Sequence, residues 1–165
     1  VGYSVIKMKA VASILVFVGL AGAVSASGCD SGPVCPAGYN AWESSCYKLY
    51  DEVLTWEAAE DRCLDDGAHL ASIHSADEND YLNNLAGSAG TTGTWMGYND
   101  LASEDNFVWS DGSCTGYIDW NSGEPNNQSP GEHCGEINFF GTTDDGTWND
   151  YLCCRNNRFI CKVTP

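Results

Sequence analysis

Three short groups in the second half of the chain combine acids with amides. They are Glu124-Pro125-Asn126, then Glu132, then Trp148-Asn149-Asp150. Hard cations such as Ca2+ take about six to eight oxygens from carboxylates, amides and backbone carbonyls. Glu124, Asn126, Glu132, Asn149 and Asp150 can supply most of such a shell. Three carboxylates set an excess of negative charge against the divalent ion. An amide that gives its C=O to a metal keeps its NH2 as a donor, and a carboxylate there keeps a lone pair as an acceptor. A vicinal diol can therefore complete the shell with two oxygens, donate to Glu124 and accept from Asn126. That chemistry recognises a sugar. Pro125 fixes the turn, and the isomer of the Glu124–Pro125 bond is open. On composition alone, a solvated acidic loop is an equally good reading.

These residues are not spaced along a helix, so folded chain must gather them. They fall within a stretch from Asn99 to Asp150 that is dense in Gly, Asn, Asp, Ser and Pro. So long an irregular segment is functional or disordered. Trp109, Trp120, Cys114 and Cys134 can pin it, which favours function. A Cys134–Cys153 bridge would bring Glu132 and Asp150 together. Before the loop, two helices are legible. Thr55 caps one over Trp56 to Leu64, with Trp56, Ala59 and Cys63 on one face and Gly67 as the stop. Ser75 and Glu78 form a capping box for the second, which buries Tyr81, Leu82 and Leu85 and ends at Gly87. Strand-like pieces are Cys46 to Tyr50, Thr94 to Tyr98, Phe107 to Trp109, Glu136 to Phe140 and Arg158 to Val163.

The whole chain has 165 residues, and 7 Lys+Arg against 23 Asp+Glu give −16. Only five of the basic residues follow residue 40, too few for a phosphate-binding face or an anionic membrane surface. Lys7-Met8-Lys9, the apolar run Ala10 to Val24 and the small residues Val24-Ser25-Ala26 read as a secretory signal, with Met8 the expected start. The expected parts are residues 1–26 as upstream residues and signal, 27–34 as a lead-in, and 35–163 as one domain. Cleavage after Ala26 removes Lys7 and Lys9 and leaves 5 − 23 = −18. The nine cysteines of a secreted chain mean disulfides rather than zinc, because paired CxxC spacings are missing. An odd count leaves a thiol free or for another chain. Glu124 and Glu132 could suggest glycoside hydrolysis. A general acid there needs an apolar pocket, and these acids fall in a polar loop, so no enzyme is expected.

At these residues the chain resembles the C-type lectin-like domain family. The matches run in order: Cys35 and Cys46, Trp56 with Ala59 and Cys63, Leu70-Ala71-Ser72-Ile73, and Trp95-Met96-Gly97. Trp109-Ser110-Asp111-Gly112, Trp120, Glu124-Pro125-Asn126, Cys134, Trp148-Asn149-Asp150, Cys153 and Phe159-Ile160-Cys161 come after them. The resemblance implies an α+β C-type lectin-like fold, with two helices flanking two small antiparallel sheets and a long calcium- and sugar-binding loop. It implies the disulfides Cys35–Cys46, Cys63–Cys161 and Cys134–Cys153. Of the three cysteines left, we expect Cys114–Cys154, with Cys29 free to join a partner chain as a disulfide-linked homodimer. Pairing of Cys29 within the chain is the alternative.

The resemblance assigns Glu124, Asn126, Glu132, Asn149 and Asp150 to a Ca2+ ion and its sugar. Glu-Pro-Asn implies mannose, N-acetylglucosamine or fucose. A second, auxiliary calcium site would use Asp100, Glu104, Asn127, Glu132 and position 133. Here Asn127 and His133 stand where family members often carry Asp. The expected protein is a secreted, calcium-dependent lectin for soluble or cell-surface glycans, acting in microbial recognition, without nucleic acid or membrane insertion. The alternative is a structural, mineral-matrix or ice-binding protein that uses the fold without sugar. Trp95, Trp109, Trp120 and Trp148 are expected in the core, and Tyr151 is the candidate for stacking on a sugar. The sequon Asn127-Gln128-Ser129 is followed by Pro130 and is expected to stay unmodified.

Overall fold

A computed structural model describes residues 32–87, 93–129, 131–137 and 146–165. The expected signal, Cys29 and most of the lead-in lie outside the described residues. In chain order the elements are β1 (Asn40–Trp42), β2 (Ser45–Leu54), α1 (Trp56–Asp65), β3 (His69–Leu70) and α2 (Ala76–Ala86). Next come β4 (Thr94–Asn99), β5 (Val108–Trp109), β6 (Glu132–Ile137), β7 (Trp148–Leu152) and β8 (Asn157–Val163).

The helices start where their caps predict. The Thr55 side chain accepts from the Ala58 N–H at 3.4 Å, and the Ser75 hydroxyl accepts from the Glu78 N–H at 3.1 Å. Glu78 reaches back one residue further than a capping box requires. Its Oε2 accepts from the His74 N–H at 2.7 Å. Its other oxygen is buried with Lys162 Nζ at 2.6 Å and the Tyr47 hydroxyl at 2.5 Å. A buried ion pair needs such extra hydrogen bonds to offset desolvation. One glutamate thus caps α2 and ties it to β8.

The strands follow the path β1-β2-β8-β4-β6-β7, with β3 on β8 and β5 on β4. Among the described strands, the pairings are antiparallel except β4 with β8, which joins the two antiparallel groups through Thr94↔Arg158 and Trp95↔Phe159. Trp95 and Phe159 are fully buried at that seam. The stretch expected as irregular from Asn99 to Asp150 contains β5, β6 and the start of β7 among its described residues. The antiparallel pairing of β6 with β7 begins at Glu132↔Leu152 and carries the β6 strand back from its expected start at Glu136. Residues 138–140 of that expected strand lie outside the described residues.

Among the described residues, three disulfides staple the fold: Cys35–Cys46, Cys63–Cys161 and Cys134–Cys153. The second closes 98 residues and fixes α1 against β8. The expected Cys114–Cys154 bridge is not formed. Both thiols are exposed and unpaired. The reason is position: Cys114 lies in the loop after β5, where its neighbour Ser113 lines a cleft with Gly67, Asp111 and Lys162. Cys154 lines a different cleft with Gly93, Glu136 and Tyr151.

Candidate functional site

The long loop is docked beside β7. Trp120 bridges Trp148, and the Asn121 N–H donates to the Trp148 carbonyl at 2.8 Å. The Trp148 N–H donates to the Asp119 carbonyl at 2.8 Å. Trp148 is fully buried and gives its ring N–H to Asn79 on α2 at 2.8 Å. This anchors the strand that carries Asn149 and Asp150. The Glu124–Pro125 bond is cis.

Asp150 is 1% exposed and holds the loop by both oxygens. Oδ1 accepts from the Asn126 N–H at 3.0 Å and Oδ2 from the Asn127 N–H at 2.8 Å. Bonds from N–H to an ionised acceptor are about twice as strong as neutral ones. Asn126 itself is exposed, and its amide oxygen accepts from the Gln128 N–H at 2.6 Å. Glu132, 7% exposed, stands at the start of β6. Asn149 is 3% exposed and donates its NH2 to Glu136 Oε1 at 3.0 Å. Its amide oxygen is thereby left for another partner.

Glu124 is half-buried, and its Oε2 is shut from solvent with no hydrogen-bond partner. Burial, then the neighbouring Asp150, push its carboxyl up to about 7, with Glu132 adding repulsion and Asn126 opposing. Of the acids expected in a polar loop, Glu124 lies there, whereas Glu132 stands on β6 and Asp150 on β7. The set consists of oxygens alone, crowded, acid-rich and partly dehydrated. It fits a hard divalent cation, which would give the orphaned oxygen a partner and relieve the repulsion.

The sequence matches the Lectin C-type domain family over residues 52–163. The chain belongs to the C-type lectin family. It is 36% identical over 129 residues to the galactose-specific lectin nattectin of Thalassophryne nattereri, across 77% of this chain and 79% of that protein. It is 37% identical over 134 residues to a mannose-binding C-type lectin isoform of Notechis scutatus scutatus, across 78% and 82%. Among solved structures it resembles the C-type lectin CEL-I of Cucumaria echinata, with TM-score 0.74, 29% identity, and 81% of this chain and 100% of that chain covered. It also resembles a calcium-independent type II antifreeze protein, with TM-score 0.70, 28% identity, and 79% and 95% covered.

The lectin domain treats the auxiliary residues differently. Asp100, Glu104 and His133 come together, their ligand atoms all within 4.8 Å of one another. Asn127 does not offer its oxygen to that cluster. Its amide oxygen accepts from the N–H groups of Gly131 at 3.2 Å and Glu132 at 3.3 Å. Its NH2 donates to Glu104 at 2.6 Å. A glycan on that nitrogen would have to displace this bond. Glu124, Glu132 and Asp150 do not form so tight a trio. A wide shell of about six to eight ligands does not require one.

Trp95, Trp109 and Trp148 are core residues, and Trp120 is half-buried against the cluster that holds Trp109 and Trp148. Tyr151, the candidate for stacking on a sugar, leans on Trp95 with ring centroids 6.2 Å apart. The residue that sequence reasoning missed is Glu136. It is 1% exposed, holds Asn149, and also accepts from the Asn157 NH2 at 2.6 Å. Burial pushes its carboxyl up to about 7 against those two donors. Its signal lay in the sequence as the acid four residues after Glu132, but its register opposite Asn149 appears only once β6 and β7 are paired.

Proposed function

We propose that this protein is a secreted, calcium-dependent lectin whose sugar site is built from Glu124, Asn126, Glu132, Asn149 and Asp150. The observation that carries the reading is the buried, unpartnered Glu124 oxygen set beside Asp150 and Glu132. Bound Ca2+ would supply direct coordination for two vicinal hydroxyls of a sugar. The chain's own residues do the rest. Asp150 clamps the loop through the Asn126 and Asn127 N–H groups. Glu136 orients Asn149. Glu124 accepts a sugar O–H, and the Asn126 NH2 donates to the next hydroxyl. That order of acceptor and donor supports mannose, N-acetylglucosamine or fucose over galactose. The relatives' names point both ways on sugar, so the site residues carry the choice. Recognition of microbial glycans fits this specificity, with Cys29 joining two chains.

The test is binding to immobilised mannan. Binding should vanish in EDTA, return with Ca2+ and not return with Mg2+, which demands a small octahedron and keeps its waters. Binding that persists in EDTA overturns the reading. A second reading is a surface-binding protein that needs no sugar, favoured by the similarity to a calcium-independent antifreeze protein. Free mannose competes with the target under the first reading and not under the second.

A further inference from the structure

We propose that Asp100, Glu104 and His133 form a site for Zn2+ or a divalent metal of the same imidazole-preferring class. The cluster stands where a second calcium would be expected, and its donor set does not suit calcium. One of the three groups is a ring nitrogen. The Asn127 oxygen is turned to the backbone of residues 131 and 132. Calcium wants about six to eight oxygens, whereas imidazole with carboxylates suits zinc, copper and nickel.

The spacing supports a small shell. His133 Nδ1 lies 2.9 Å from Asp100 Oδ1 and 3.6 Å from Glu104 Oε2. Tetrahedral ligands about 2.0–2.1 Å from zinc stand about 3.3–3.4 Å apart. The observed separations straddle that edge length, so small side-chain shifts suffice. The ligands are also oriented from behind. Asp100 Oδ2 accepts from the Asp105 N–H at 2.8 Å, leaving Oδ1 toward His133. Glu104 Oε1 accepts from the Asn127 NH2, leaving Oε2 toward His133. The Asp100 N–H donates to the His133 carbonyl at 3.1 Å, which fixes the two segments together. Such outer contacts set ligand orientation in metal sites. The Asp100 side chain is 1% exposed and Glu104 is 50% exposed. One wall is therefore rigid and one side is open for entry and for a water as fourth ligand. Zinc held by the stapled cysteines stays excluded by the three disulfides.

The experiment uses the full chain with Cys29, Cys114 and Cys154 replaced by Ser, so that no free thiol binds metal. Equilibrium dialysis against Zn2+ is run with saturating Ca2+. One zinc per chain is expected. His133→Asn and His133→Asp should each weaken zinc binding about 100-fold or more, at or above the upper end seen for outer contacts. Near-ultraviolet circular dichroism unchanged from the parent shows that the variants are folded. Co2+ in place of zinc should give the visible bands of a tetrahedral site, lost in both variants. Absence of zinc from the parent overturns the proposal. So does zinc retained by the folded His133 variants, or zinc lost on Asp150→Asn instead. The mannan assay reads the sugar site separately, so either reading can fail alone.

Discussion

At the proposed calcium site, Glu124 would set a pH threshold for metal binding well above the ordinary carboxylate range. In the metal-free chain its carboxyl titrates near 7, driven first by burial and then by Asp150. A cation at this site competes with that proton. The apparent Kd for Ca2+ then scales with the inverse of the ionised fraction. Relative to full ionisation, the penalty is about 1.1-fold at pH 8, about 11-fold at pH 6 and about 100-fold at pH 5. An ordinary glutamate near 4.3 would cost only about 1.2-fold at pH 5. The sign in EDTA is opposite. A carboxyl raised in the fold binds more protons folded than unfolded between about 4.3 and 7. Glu124 and Glu136 therefore support the metal-free fold at pH 5 and lose that contribution as pH rises through 7. Calcium titrations followed by tryptophan fluorescence across pH 5–8 read the first effect. Calorimetry in two buffers of different ionisation heat should show close to one proton released per Ca2+ at pH 6. Thermal melts in EDTA read the second effect. A Kd at pH 6 within twofold of that at pH 8 refutes the reasoning.

Glu124→Gln with Asn126→Asp reverses acceptor and donor around the sugar while keeping the formal charge. Competition on the mannan resin should show mannose weakened and galactose gaining; an unchanged ranking refutes the assignment. Glu136→Gln sets an NH2 against the NH2 of Asn149 or Asn157, so Ca2+ affinity should fall about 10- to 100-fold, with mannan binding recovered at high calcium. Gly97→Ala should cost about 1–3 kcal/mol in urea unfolding, because its Cβ would stand 2.7 Å from both the Leu70 carbonyl oxygen and Ser110 Oγ. Non-reducing electrophoresis should show a covalent dimer lost in Cys29→Ser. A dimer lost instead in Cys114→Ser or Cys154→Ser would assign it to one of the exposed thiols.

The two helices were legible because local signals dictate them. Thr55 and Ser75 begin them, and the apolar spacing of Trp56, Ala59 and Cys63 selects the buried face. The apolar pattern misses part of the second helix's buried face. Tyr81 and Leu85 are half-buried, while Glu78, Asn79, Leu82 and Ala86 are the buried residues. The cause is a polar interior that apolar periodicity does not register. Glu78 meets Lys162, and Asn79 meets Trp148 and Asp119. Strand β7 was hidden for a related reason. Trp148-Asn149-Asp150 reads as loop by composition, and its strand character comes from pairing with β6 and from the Cys134–Cys153 bridge.

Long-range register separates the legible part of the site from the rest. Residue type identifies Glu124, Glu132 and Asp150 as acids able to meet a cation, and local sequence places Glu124 in a loop but not Glu132 and Asp150 on paired strands. It does not reveal that Asp150 spends both oxygens on the backbone of that loop. Nor does it reveal that Glu136 must be paired across the sheet before Asn149 faces the right way. At the auxiliary cluster the sequence shows a substitution, Asn127 and His133, and stops there. In the folded chain one substituted amide becomes a brace for Glu104, and the other substituted position brings a ring nitrogen to within 2.9 Å of a buried carboxylate. Two departures that look like the loss of one metal site therefore act together. The brace and the nitrogen are what a smaller, nitrogen-tolerant metal would require.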